Sequence, residues 1–287
     1  MPAFPRRKKN GIAPRAPRFA RLKRFGRRAE DRQGKRGRGI YLLPNAFTTG
    51  ALFCGFYAIV MAMNQRFEYA CWAVFVAMIL DGLDGRVARL TNTQSEFGAQ
   101  YDSLSDMVSF GAAPALVIYE WSLRGLGKLG WIAAFVYCAG AALRLARFNT
   151  NIEVVDKRFF QGLPSPAAAA LVVGFIMFMT DPDINISARQ VDWVSWCIAV
   201  FAGLTMVSNV PFYSFKDVNF RKSVPFIVVF LIALGFALVA IDPPKVLWPI
   251  FVVYGLSGYV VYVLQRARGK RVSIIPTDEP IEDSERR

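Results

Sequence analysis

The sequence predicts an all-α, polytopic transmembrane bundle of eight spans. Three observations carry that reading: apolar runs of span length recur along the chain, Lys and Arg alternate in density between successive connections, and carboxylates collect where two adjoining helices meet. Of 287 residues, 54% are hydrophobic and 20% charged, with a mean hydropathy of +0.31, which is too apolar for an ordinary soluble domain. At about 20 apolar residues per crossing, this length holds several spans and little else. A functional site therefore has to be built from helix ends and short loops.

Residues 1–39 form a basic arm. Met1 to Arg38 carries 15 Lys and Arg against Glu30 and Asp31, a net +13 of the chain's +14. Such an arm suits nucleic acid or the anionic cytoplasmic leaflet. It runs directly into an apolar span, which favours the membrane, so no nucleic-acid partner is expected; its plainest use is to orient the chain. The stretch is too long for a cleavable signal, and no short apolar core with a small-residue cleavage site follows it.

Eight apolar runs come next, at about residues 45–63, 69–90, 102–121, 129–148, 164–179, 191–207, 224–240 and 247–264. Eight spans return both termini to the cytoplasm, the expected membrane being the plasma (inner) membrane. Each later connection then tests the rule that cytoplasmic loops are rich in Lys and Arg. Inner connections carry Arg86 and Arg89; Arg144, Arg147, Lys157 and Arg158; Lys216, Arg221 and Lys222; and Arg266, Arg268, Lys270 and Arg271. Outer ones carry only Arg66, Arg124, Lys128, Arg189 and Lys245. Asp181-Pro182-Asp183 and Ile241-Asp242-Pro243-Pro244 read as outer turns, because Pro and Asp terminate helices. Residues 273–287 read as a polar, disordered tail. No internal repeat or inverted pair of broken helices is visible, which weakens a transporter reading.

Cys54, Cys71, Cys138 and Cys197 lie singly in apolar segments, and the chain has no histidine. Zinc, haem and histidine-based catalysis are therefore not expected, and the cysteines read as small buried hydrophobes.

The chemistry lies in four carboxylates. Asp81 and Asp84 are spaced i,i+3 at the end of the second helix, and Asp102 and Asp106 i,i+4 in the third, so each pair projects from one helical face. If these helices are antiparallel neighbours, all four converge at the cytoplasmic boundary. Carboxylates so placed repel one another and persist when paired, solvated or bound to a cation. A divalent cation relieves the repulsion, and hard Mg²⁺, Mn²⁺ or Ca²⁺ suits an all-oxygen site of one or two ions. Such a cluster holds the oxygens of a pyrophosphate and stabilises a departing phosphate. Gly82, Gly85 and Gly98 leave room for a ligand or a neighbouring helix, and Arg89 can meet phosphate from the cytoplasmic side.

The spacing D-x2-D-G-x2-A-R-x8-G-x3-D-x3-D is met by Asp81, Asp84, Gly85, Ala88, Arg89, Gly98, Asp102 and Asp106. It resembles, without a departure, the signature of the CDP-alcohol phosphatidyltransferases. The resemblance implies a six-helix core over residues 40–216, with the two helices of residues 217–272 added to it, and a homodimer. It also implies a CDP-lipid held beside Gly85, Ala88, Arg89 and Gly98, two metal ions on the four aspartates, and Asp106 as proton acceptor.

Further blocks resemble family members whose acceptor alcohol is L-serine: 105–114, 144–149, 160–167 and 208–216. The expected substrates are CDP-diacylglycerol and L-serine. Glycerol 3-phosphate or inositol phosphate is the alternative acceptor, and a membrane transporter is the alternative from another class. A serine carboxylate needs a cation, for which Arg144, Arg147 and Lys216 are the candidates on the same face. Asn45 and Thr48, at the inner end of the first span, either bind the cytidine and its phosphates or cap their helix.

Overall fold

A computed structural model describes residues 42–150, 159–181, 183–184, 190–213 and 226–267. Helix occupies each of the eight expected apolar runs among the described residues. α1 (Leu42–Met63) carries no charge and tolerates Pro44, whose missing N–H falls in the first turn where no intrahelical partner exists. α2 (Phe67–Thr91) ends where Asn92 turns left-handed at φ 52° and its N–H reaches the carbonyls of Ala88 and Arg89; asparagine adopts this conformation more readily than most residues. α3 (Glu96–Asp106) opens on Ser95, whose hydroxyl accepts from the Gly98 N–H at 3.0 Å. It therefore starts about two turns before the expected residue 102. The turn from Asn92 to Ser95 is short, and α2 and α3 are antiparallel neighbours.

The run expected as one helix over 102–121 is divided. α3 passes into a π-helical turn, Met107–Ala112, and then into α4 (Ala113–Trp121). The cause is Pro114, which has no N–H for the Phe110 carbonyl and whose ring crowds that same carbonyl four residues back. The freed oxygen is not left bare: the hydroxyl of the fully buried Tyr137 donates to it at 2.9 Å. Tyr137→Phe is expected to leave this carbonyl unpaired and to lower stability by about 1–3 kcal/mol, read as a fall in Tm in detergent. An unchanged Tm would mean that the Phe110 carbonyl finds another donor.

A 3-10 turn (Leu123–Leu126) leads to α5 (Lys128–Thr150). Then come β1 (Phe159–Gln161), α6 (Ser165–Met179), α7 (Asp192–Val207) and β2 (Pro211–Tyr213). α8 (Phe226–Ile241) and α9 (Pro243–Ala267) complete the described chain. α6 is the central helix, buried from Ala168 to Met177 and packed by α2, α4, α7 and α9. The chain is predominantly helical, as expected, with one short strand pair added among the described residues. β1 and β2 pair antiparallel, with Gln161 opposite Pro211. The two strands lie beside Gly162 at φ 77° and Pro164, which keep the backbone out of helix, and three residues are too few to show a period.

α1, α5 and α9 are each long and apolar enough to cross a membrane, over Leu43–Met63, Lys128–Thr150 and Pro243–Ala267. α6 and α7 are apolar but shorter. Outward-facing Phe53, Phe135 and Val253 are 66%, 62% and 68% exposed, a surface suited to lipid, and the chain is an integral membrane protein. At the far end of α6, Lys245 bridges Asp183 at 2.7 Å, Asp242 at 2.9 Å and Asp181 at 3.4 Å. This ties the expected outer turns together. Pro243 and Pro244 begin α9 rather than prolong a turn.

Candidate active site

The start of α1, the last turns of α2, α3 and the end of α5 meet the start of α6 and the segment that follows α7. Oxygens of Asp81, Asp102 and Asp106 lie within 4.8 Å of one another. The carboxyls of Asp81 and Asp106 are within hydrogen-bonding reach, as are those of Asp84 and Asp102. Two carboxyl groups at that distance need a shared proton or a cation between them.

Hydrogen bonds to α1 hold this geometry. The Thr48 hydroxyl donates to Asp84 Oδ2 at 2.8 Å, closer than its own-helix alternative, the Pro44 carbonyl at 3.2 Å. Ser105 donates to the Thr48 carbonyl at 3.1 Å, and Ser109 to that of Ala51 at 3.0 Å. α1 thus braces the helix bearing Asp102 and Asp106 just before the π turn and within it. Thr48, read from the sequence as a nucleotide ligand or a cap, binds an aspartate.

The donor set fits a hard divalent cation. It is all oxygen, and Asp102 Oδ1 is buried with no hydrogen-bond partner, an arrangement that a bound cation would satisfy.

Beside the aspartates lies a cavity of about 260 Å³ lined by Asn45, Thr48, Asp84, Gly85, Ala88, Arg89, Gly98 and Asp102. The structure thus brings all six residues expected to bind the CDP-lipid to one wall. A Cβ at Gly85 would meet nothing nearer than the tip of Arg89 at 3.8 Å, so it would occupy cavity space, whereas one at Gly98 would press Ser95 Oγ at 3.1 Å. At Gly82 nothing lies within 4 Å; no close approach explains that glycine among the described residues. Pro44, Thr93, Gln94, Ser95 and Ala99 also line the cavity. Sequence reading missed Thr93, Gln94 and Ser95 because they fall in the variable stretch between the two halves of the motif.

Two arginines of α5 stand outside the cavity lining. Arg144 is within electrostatic reach of Asp106, and its Nη1 donates to Ser165 Oγ at 2.7 Å. Its Nε is buried without a partner. Arg147 donates to Asn209 Oδ1 at 3.3 Å, and Gln161 to the same oxygen at 2.9 Å. Ser165, Asn209 and Gln161 lie inside blocks noted above, but nothing in their spacing marked them as partners of the arginines. Lys216 lies outside the described residues.

A helical membrane bundle with a carboxylate cluster opening on a cavity at one end defines a membrane-embedded enzyme of phosphoryl transfer. A sequence model of the CDP-alcohol phosphatidyltransferases matches residues 41–211, more than half of the chain, and the protein belongs to that family. Among curated relatives, the CDP-diacylglycerol–serine O-phosphatidyltransferase of Helicobacter pylori is 36% identical over 226 residues, 79% of this chain and 94% of its own. Enzymes of the same name from Mycobacterium bovis and Methanocaldococcus jannaschii are 31% and 35% identical, over 77% and 66% of this chain and 78% and 82% of their own.

Proposed function

We propose that the protein transfers the phosphatidyl group of CDP-diacylglycerol to the hydroxyl of L-serine, giving phosphatidylserine and CMP. The observation that carries the reading is the convergence of Asp81, Asp102 and Asp106, with Asp84 beside Asp102, at a cavity lined by the other signature residues. The name shared by bacterial and archaeal relatives supports serine as acceptor.

In this reading Asp81, Asp84, Asp102 and Asp106 hold divalent cations, Mg²⁺ or Mn²⁺ or else Ca²⁺, two in number. Bound there, the ions neutralise pyrophosphate charge and stabilise the leaving CMP. The protein's own groups do the rest. Asn45, Gly85, Ala88, Arg89 and Gly98 seat the CDP moiety, with Arg89 at the exposed rim against phosphate, while Thr48 holds Asp84 in place. Arg144 and Arg147, with Lys216 as the third candidate, orient the serine carboxylate so that its hydroxyl faces the phosphorus. The serine oxygen bonds to phosphorus, the bond from phosphorus to the CMP oxygen breaks, and the hydroxyl proton passes to Asp106. A carboxylate is a weak base toward an alcohol, so positioning and electrostatics carry most of the rate.

The same reading takes the bundle as eight spans in the plasma membrane. Residues 40–216 form the six-helix core, residues 217–272 the added pair, 1–39 the arm and 273–287 the tail. Both termini and the site face the cytoplasm, and the enzyme is a homodimer.

The test is CMP release by purified protein with CDP-diacylglycerol and Mn²⁺ or Mg²⁺, comparing serine, glycerol 3-phosphate, inositol phosphate and no acceptor. Stimulation by serine alone is expected. Stimulation by another acceptor would keep the chemistry and change the substrate, and no metal-dependent release would favour a transporter.

A further inference from the structure

The chain continues beyond the matched family segment, and the last helix among the described residues returns to the site. α9 packs along α6 and against β2. Phe212, the middle residue of β2, is fully buried, and its ring centre lies 5.7 Å from that of Tyr254. It also lies so close over Gly258 that a Cβ there would fall 2.5 Å from Phe212 Cζ. Gly258 is therefore the slot into which the ring fits. The Tyr254 hydroxyl donates to the Tyr213 carbonyl at 3.3 Å, and its phenol is within electrostatic reach of Arg144. One turn on, the hydroxyls of Tyr259 and Thr205 meet at 2.8 Å, joining α9 to the last turn of α7.

From β2 the contacts run on to the arginines. β2 holds β1 in register with Gln161 opposite Pro211, and Gln161 shares the side-chain oxygen Oδ1 of Asn209 with Arg147. A span serving only as a membrane anchor needs an apolar outer face. It needs neither a glycine slot for a strand residue nor a tyrosine directed at the site.

We propose that α9 belongs to the acceptor side of the active site: Gly258 and Tyr254 clamp β2, and through it set Arg147 and Arg144 for the carboxylate of an amino-acid acceptor. Both are positioning residues, and the inference rests on the reading above that these arginines bind the acceptor. Neither α9 nor the two arginines contribute to the lining of the donor cavity. A loosened clamp should therefore weaken acceptor binding selectively.

The experiment uses the full chain in detergent and compares wild type with Gly258→Ala, with Tyr254→Phe, and with Gly258→Ala combined with Phe212→Leu. Leucine lacks the ring atoms that an alanine Cβ would strike. CMP release is measured against serine at saturating CDP-diacylglycerol and the reverse, with Tm recorded for each protein. Gly258→Ala is expected to raise KM for serine about tenfold with KM for CDP-diacylglycerol unchanged, and the double variant to recover most of that loss. Tyr254→Phe, which removes only a hydroxyl, is expected to raise KM for serine about threefold. Serine KM values equal to wild type in both single variants would overturn the proposal. So would KM values for both substrates rising together, or a loss of activity that follows Tm alone. A wild-type enzyme indifferent to serine overturns the acceptor assignment itself before any variant is compared, and this inference with it.

Discussion

Asp106→Asn is expected to lower CMP release by at least about a thousandfold while leaving the protein folded. Asparagine keeps the shape of aspartate, so the packing around residue 106 survives. It carries no charge, takes no proton at neutral pH and is a poor ligand for a hard cation. Both roles proposed for Asp106 are lost together, because its oxygens stand within 4.8 Å of those of Asp81 and Asp102. Binding can be followed without turnover: Mn²⁺ should raise the Tm of wild type by mass action, and should raise that of the variant far less. A variant retaining activity within tenfold of wild type would reduce Asp106 to a structural carboxylate. Lost activity with an undiminished Mn²⁺ shift would leave it the proton role alone.

Gly140→Val should prevent the bundle from assembling. Where α5 crosses α7, a Cβ at residue 140 would fall 2.4 Å from the Gly203 carbonyl oxygen, and one at Gly203 would fall 2.8 Å from the Tyr137 Cα. The obstacles are backbone atoms, so no rotamer change relieves the clash and the helices have to separate. Overpacking of this kind costs about 3 kcal/mol or more. In a membrane, close backbone approach through small residues is itself a main source of helix association. α5 also carries Arg144 and Arg147 beyond the crossing, so whatever protein does assemble should bind serine poorly. Size-exclusion profiles in detergent, with CMP release on the monodisperse fraction, test both parts. A monodisperse, fully active variant would show that the crossing can open without consequence.

The places of the apolar helices among the described residues were legible because a long, uniform apolar run is a pattern that little else in a sequence imitates. Helix ends were less so. α3 starts at Glu96 rather than near residue 102 because the Ser95 cap is a local hydrogen bond, which hydropathy does not register. The π turn after Asp106 was in principle visible in Pro114. Whether a proline kinks a helix, shifts its hydrogen bonding or breaks it depends on which donor reaches the orphaned carbonyl, and here that donor is Tyr137, 27 residues away. The β1–β2 pairing joins three-residue segments about 50 residues apart, too short and too distant for any periodic signal.

The sequence alone determined which carboxylates converge. Asp81, Asp84, Asp102 and Asp106 recur at helical spacing across one short turn, and two antiparallel helices so joined can hardly avoid bringing them together. Tertiary structure alone decided what surrounds them. It set Thr48 on Asp84 at the edge of the cavity, joined Arg147 and Gln161 through Asn209, gave Arg144 to Ser165, and brought α9 back against β2. The physical reason is range. Repulsion among carboxylates and the apolar length of a span act between neighbours in the chain, where spacing records them, while a hydrogen bond or a glycine slot between distant helices exists only after packing has chosen which faces meet.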